Sequence, residues 1–104
     1  MVEYLIVETD AATHRIRLTK SQKRLLAVLV LNGHRTSQEL SEDLGVARSS
    51  IAKYVGRLNQ AVRVQSNFYV SDLIGFMDRE YSIHSLLVDV VNQGDSQWRS
   101  WLDT

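Results

Sequence analysis

TSQELSEDLGVARSSIAKYVGRL, residues 36–58, is the stretch on which the fold turns. It opens on Thr36-Ser37-Gln38-Glu39, the form of a capping box, in which the threonine hydroxyl and the glutamate carboxylate each satisfy a free backbone N–H at a helix start. Leu40 and Leu44 follow one turn apart and pin that short helix to a core. Gly45 stops it, because glycine enters the left-handed conformation without steric cost. Ser41 is small enough for a second helix to cross close beside it, and Val46 plugs the corner. The second helix is read from about Arg48 to Val62, with Ile51, Tyr54, Val55, Leu58 and Val62 spaced to face inward. Ala47 stands where a capping Ser, Thr or Asp is usual, an absence worth about 1 kcal/mol. Its outer side is left with Arg48, Ser49, Ser50, Ala52, Lys53, Gly56 and Arg57, free of acids and of bulky apolar groups.

Working outward, residues 3–8 are rich in β-branched and aromatic types, and residues 14–18 alternate polar and apolar. Together they predict two short strands in a hairpin, turning at residues 9–13. Thr19-Lys20-Ser21-Gln22 repeats the capping-box form and opens a helix whose Leu25, Leu26, Val28, Leu29 and Leu31 make a strongly apolar face, ended at Asn32-Gly33. Beyond the central pair, Val64–Val70 and Leu73–Ile83 carry β-formers with few helix signals, and predict a hairpin over about 64–83. Leu86–Val91 and Trp98–Leu102 read as one broken or two short amphipathic helices within a segment of about 84–102.

With 104 residues, 44% of them apolar, the chain is long enough for one domain with its own core, and residues 1–104 are read as such. The longest apolar run, Leu25–Leu31, is far short of the roughly twenty residues a membrane-spanning helix needs. No basic region precedes an apolar stretch at the amino terminus, which argues against a signal peptide. The absence of cysteine excludes disulfides, zinc thiolate sites and thiol nucleophiles, and fits a reducing cytoplasm. The formal net charge is zero, yet it is segregated. Residues 1–12 carry −3, residues 13–63 carry +7, and residues 64–104 carry −4. A central basic block of this kind suits a polyanion partner.

Catalysis and cofactors find no support. His14, His34 and His84 share no ligand spacing, so no metal site is expected. Ser49-Ser50 has no adjacent base to make a nucleophile, and the five glycines are too scattered for a phosphate loop. Phe68, Tyr69 and Phe76 read as core strand residues rather than a stacking platform for single strands.

The central stretch resembles the winged helix-turn-helix transcription regulators of bacteria. Leu44-Gly45-Val46-Ala47-Arg48-Ser49-Ser50-Ile51 is similar to the biotin-operon repressor type. The wider layout, with Leu18-Thr19 at the first helix start and Glu80-Tyr81-Ser82-Ile83 as a closing strand, resembles the output domains of two-component response regulators, with Glu80 in place of their glycine. The resemblance covers about residues 3–83. It implies an α+β winged helix-turn-helix with short N-terminal strands, a three-helix core, a C-terminal β-hairpin wing and an extra C-terminal helix. It also implies double-stranded DNA as the partner, with the second helix of the pair in the major groove. Arg48, Ser49, Ser50, Ala52 and Lys53 are then expected to face bases, and Lys20, Lys23, Arg35 and Arg57 to serve phosphates. Leu86, Leu87, Val90, Val91, Trp98, Trp101 and Leu102 are more apolar surface than a small domain easily covers, so a homodimer with Trp98 and Trp101 at its contact is expected. Two other readings fit the same residues: a winged helix used for protein–protein contact without DNA, and the DNA-binding part of a larger sensor protein.

Overall fold

Leu5 and Ile16 sit opposite one another, both fully buried, in an antiparallel pair of strands, β1 (Tyr4–Glu8) and β2 (Thr13–Arg17). This is the hairpin that the alternation of residues 14–18 predicts. The computed structural model describes residues 4–8, 13–66, 72–83 and 95–103; of the expected turn at residues 9–13, Thr13 already belongs to β2 and residues 9–12 lie outside the described residues.

From β2 the chain enters α1 (Lys20–Asn32) through the predicted capping box: the Gln22 N–H donates to the Thr19 hydroxyl, and the Thr19 N–H donates to the Gln22 side chain at 2.8 Å. Leu25 to Leu29 are all buried. Five consecutive buried residues cover every side of a helix, so α1 is the central rod of the core, not a surface helix with one apolar stripe. Gly33, at φ 85°, closes it and donates to the Leu29 carbonyl. A three-residue strand, β3 (His34–Thr36), follows, which residue patterning is too short to reveal. It leads directly into α2 (Ser37–Leu44), where Thr36 and Glu39 form the second capping box. Gly45, at φ 66° and ψ 34°, takes the expected left-handed conformation.

The next helix differs from its expected bounds at both ends. It starts as a single 3-10 turn, Arg48–Ser50, whose preceding Ala47 makes no side-chain cap, and runs as α3 from Ile51 to Ser66. Three residues expected in the wing, Val64, Gln65 and Ser66, are therefore helical. Their β-forming tendency is overridden because Gln65 acts as a substitute strand neighbour, accepting from the Arg17 N–H at 2.7 Å and donating to the Arg17 carbonyl at 3.0 Å. The wing proper is shorter than the predicted 64–83: β4 (Ile74–Met77) and β5 (Glu80–Ile83). Residues 67–71, including Phe68 and Tyr69, lie outside the described residues. β5 is the middle strand of a three-stranded antiparallel sheet with β3 on one side and β4 on the other.

The last helix, α4 (Asp95–Leu102), carries the two tryptophans expected at a dimer contact. Trp98 and Trp101 are each 1% exposed, and their rings meet edge to face at 5.2 Å in the core of this same chain. Both rings are therefore covered within this chain. The physical reason is the burial of α1 on all sides: the α2–α3 pair covers one flank, and α4 packs along another. The other expected helix, Leu86–Val91, and His84 lie outside the described residues.

Candidate nucleic-acid interface

No acid occurs in the sequence between Asp43 and Asp72. Within that stretch the fold turns Ile51, Val55, Leu58 and Val62 into the core and leaves Ala52, Lys53, Gly56 and Arg57 exposed. Lys53, Arg57, Gln60 and Val64 fall at intervals of three or four, so they line one stripe of α3. Arg48 and Ser49 are exposed in the 3-10 turn ahead of it, while Ser50 is half-buried and its N–H donates to the Ala47 carbonyl at 2.9 Å. With no side chain to cap it, the segment tightens its first turn to satisfy its own N–H groups. Among the expected base-facing residues, Arg48, Ser49, Ala52 and Lys53 thus share one exposed region, with Ser50 at its inner margin.

The turn joining α2 to this segment is held by Ser41. The Ser41 hydroxyl donates to the Val46 carbonyl at 2.6 Å, while the Ser41 carbonyl accepts from Gly45 and Val46 N–H groups at 2.9 and 3.2 Å. Ser41 is a clasp as well as a spacer. Behind α3, a second residue that patterning missed does comparable work. Asn59 is 8% exposed, donates to the Ile74 carbonyl at 3.0 Å and accepts from the Ile74 N–H at 2.8 Å. A polar residue between the apolar Leu58 and Val62 reads as surface in the sequence, so its burial could be found only from the fold.

Asn59 and a second tie fix the direction of the wing. Arg63 forms an ion pair with Asp72, and Asn59 holds Ile74. Four residues back along the helix therefore correspond to two residues forward along the strand, about 6 Å in each case. β4 thus runs alongside α3 toward its N-terminal end, and the wing tip lies at the same end of the molecule as Arg48 and Lys53. The tip is a two-residue turn, since Met77 pairs with Glu80, and its Asp78 and Arg79 take φ values of 54° and 65°. Two successive left-handed residues make a type I′ turn, the form that matches the twist of a hairpin. The glycine replaced by Glu80 is therefore not needed for this turn, which falls one position earlier. The tip presents one base, Arg79, between two acids, Asp78 and Glu80.

The cations expected at phosphates are dispersed. Arg57 stands on the α3 stripe with Lys53. Arg35 does not stand free: its guanidinium lies 2.7 Å from the Glu39 carboxylate and 3.2 Å from that of Asp43. It ties β3 to α2, and its charge is answered within the chain. Glu39 is held below its ordinary carboxyl range chiefly by the hydrogen bond from the Thr36 N–H, with the Thr36 hydroxyl and Arg35 adding to it against some desolvation. Lys23 places its ammonium 5.7 Å from the centre of the Trp101 ring. Lys20 is exposed at the start of α1, three residues after Arg17, whose backbone Gln65 holds. The Gln65 tie to Arg17 thus lies roughly 25 Å along the helix from Arg48. Among the described residues no cluster of His, Asp and Glu could hold a metal ion, and no helix is long and apolar enough to cross a membrane.

Residues 18–61, from the end of β2 through most of α3, match a family model described as winged helix-turn-helix DNA-binding. No curated protein and no solved structure matches the chain.

Proposed function

We propose that this winged helix-turn-helix DNA-binding domain reads duplex DNA sequence-specifically, as a bacterial-type transcription regulator, with the segment Arg48–Val62 in the major groove. The observation that carries this reading is the outer face of that segment, which is exposed, made of basic, small or uncharged polar residues, and free of acids. Arg48, Ser49, Ser50, Ala52 and Lys53 lie toward its N-terminal end, the end that meets base edges in this mode of docking. Arg57, one turn further on, suits a phosphate. One such helix reads only a few base pairs, so two copies on paired half-sites are part of the proposal. The compartment that fits is the cytoplasm.

The test begins with a duplex enriched from a random-sequence pool on the whole chain. Affinity should fall steeply with salt, as counterions released from neutralised phosphates require. Lys53→Ala and Arg48→Ala should each lose about 1–3 kcal/mol at the selected site, the range for a direct base contact, while keeping the parent's melting temperature. One observation favours a rival, a protein-binding module without DNA: the chain's formal charge is zero. Absence of duplex binding at low salt decides for that rival.

A further inference from the structure

Gly56 is exposed in the middle of α3, and a Cβ placed on it meets nothing within 4 Å. A glycine inside a helix weakens it relative to alanine, because glycine gives up more backbone freedom on folding. No neighbour within the fold requires the missing side chain. Lys53 and Gln60, three residues before and four after, are exposed beside it, and Ala52 stands one turn ahead. On its other flank runs β4. The two-residue turn makes Met77–Glu80 a hydrogen-bonded pair of the hairpin, so Gly75–Ser82 is the next such pair. Ile74 and Phe76 therefore turn their N–H and C=O groups away from β5. For Ile74 that outward side is α3, where Asn59 takes both groups. Phe76 lies two residues nearer the tip, about 6–7 Å along the strand, and its groups point to the same side. Toward its N-terminal end from Asn59, α3 offers Val55, which is buried, and the small Gly56 and Ala52. None of these spans the gap, and among the described residues no side chain of α3 does for Phe76 what Asn59 does for Ile74. Helix and strand edge thus border an open crevice.

We propose that this crevice takes the sugar–phosphate backbone of the bound duplex, with Gly56 as the residue that admits it and the Phe76 N–H as a donor to a phosphate oxygen. The occupant follows from charge and from what the edge has left to offer. Lys53 stands beside Gly56, and Arg57 follows it on the same exposed stripe. The acids of the wing are placed otherwise. Asp72 is paired with Arg63, Asp78 stands at the tip next to Arg79, and Glu80 lies on β5, with β4 between it and α3. A peptide strand pairing with β4 would need the outward groups of Ile74 as well as those of Phe76, and Asn59 has already taken them. A phosphate needs only an N–H and a nearby cation. The contact rests on the duplex-binding reading and adds to it the residue that sets how closely the backbone approaches the helix.

Gly56→Ala and Gly56→Gln should both raise the urea midpoint, since each is a better helix former and its side chain enters open space. Both should nonetheless bind the duplex enriched on the whole chain more weakly, the glutamine variant by about tenfold or more. An unrelated duplex should weaken by the same factor, because a contact to the backbone carries no sequence information. Phe76→Pro removes the N–H at an outward-facing edge position, where proline is tolerated, and Phe76→Ala keeps it. The proline variant should bind both duplexes several-fold more weakly than the alanine variant. The Gly56 pair decides alone if the proline variant does not fold. A Gly56→Gln variant that binds like the parent overturns the proposal, and so does a loss confined to the selected duplex, which marks a base contact instead. Equal binding by the two Phe76 variants overturns the amide contact. A parent chain that binds no duplex at low salt overturns the duplex reading itself, whereas a parent that binds beside an unaffected Gly56→Gln overturns this contact alone.

Discussion

Replacing Arg79 with glycine should make the protein more stable while removing one of its exposed charges. Arg79 has φ 65° in a two-residue turn closed by the Met77–Glu80 pair. An ordinary L-residue pays roughly 1–2 kcal/mol for the left-handed conformation, and glycine pays none of it. Against this, glycine widens the unfolded ensemble, which removes about 0.4–1 kcal/mol of the gain. The net expectation is a stabilisation of about 0.5–1 kcal/mol, equivalent to roughly 2–8 °C in a domain of about this size. The burial of Trp98 and Trp101 supplies the assay, since their fluorescence reports urea unfolding without a label. The midpoint should rise with an unchanged slope, which marks a change in stability and not in the surface exposed. Arg79→Val should move the midpoint the other way, because a β-branched side chain tolerates this region worst. A midpoint that falls, or stays where it was, refutes the turn geometry and with it the strain from which the magnitude is built.

Other substitutions test the fold at the positions that orient the interface. Asn59→Ala leaves the N–H and carbonyl of Ile74 without their partner and should cost about 2–4 kcal/mol in urea unfolding, a loss too large for a surface asparagine. Trp98→Ala should cost about 3–5 kcal/mol, as for any large core side chain; an unchanged stability with altered sedimentation would instead return Trp98 to an interface. Glu39 has its pKa lowered in the folded state, so its contribution is complete above its ordinary value of about 4.5 and is lost as pH falls through the folded-state value. Glu39→Gln keeps a capping-box partner for Thr36 and should show a shallower loss of stability across that acid range than the parent, with little difference at neutral pH.

The sequence alone determined the parts of this protein whose physics is local. Both capping boxes, Thr19–Gln22 and Thr36–Glu39, form as read, because each is completed within one turn of helix. Gly45 takes the left-handed turn because no other residue there does so without strain, and the inward positions of α3 follow from its period. The acid-free character of residues 44–71 is likewise a property of the sequence, and it carries the functional proposal. Only the tertiary structure decided the rest, because it depends on which surfaces meet. Asn59 and Gln65 are ordinary polar residues until the backbones of Ile74 and Arg17 arrive beside them, and only then do they extend α3 and aim the wing. Arg35 counts as a free cation until β3 brings it within reach of Glu39 and Asp43. Trp98 and Trp101 look like surplus apolar surface until α4 folds onto α1, where a helix buried on every side has room for both. A linear pattern records which residues prefer to be buried, but the distance between residues far apart in the chain is set by packing, and so is the partner each side chain finds.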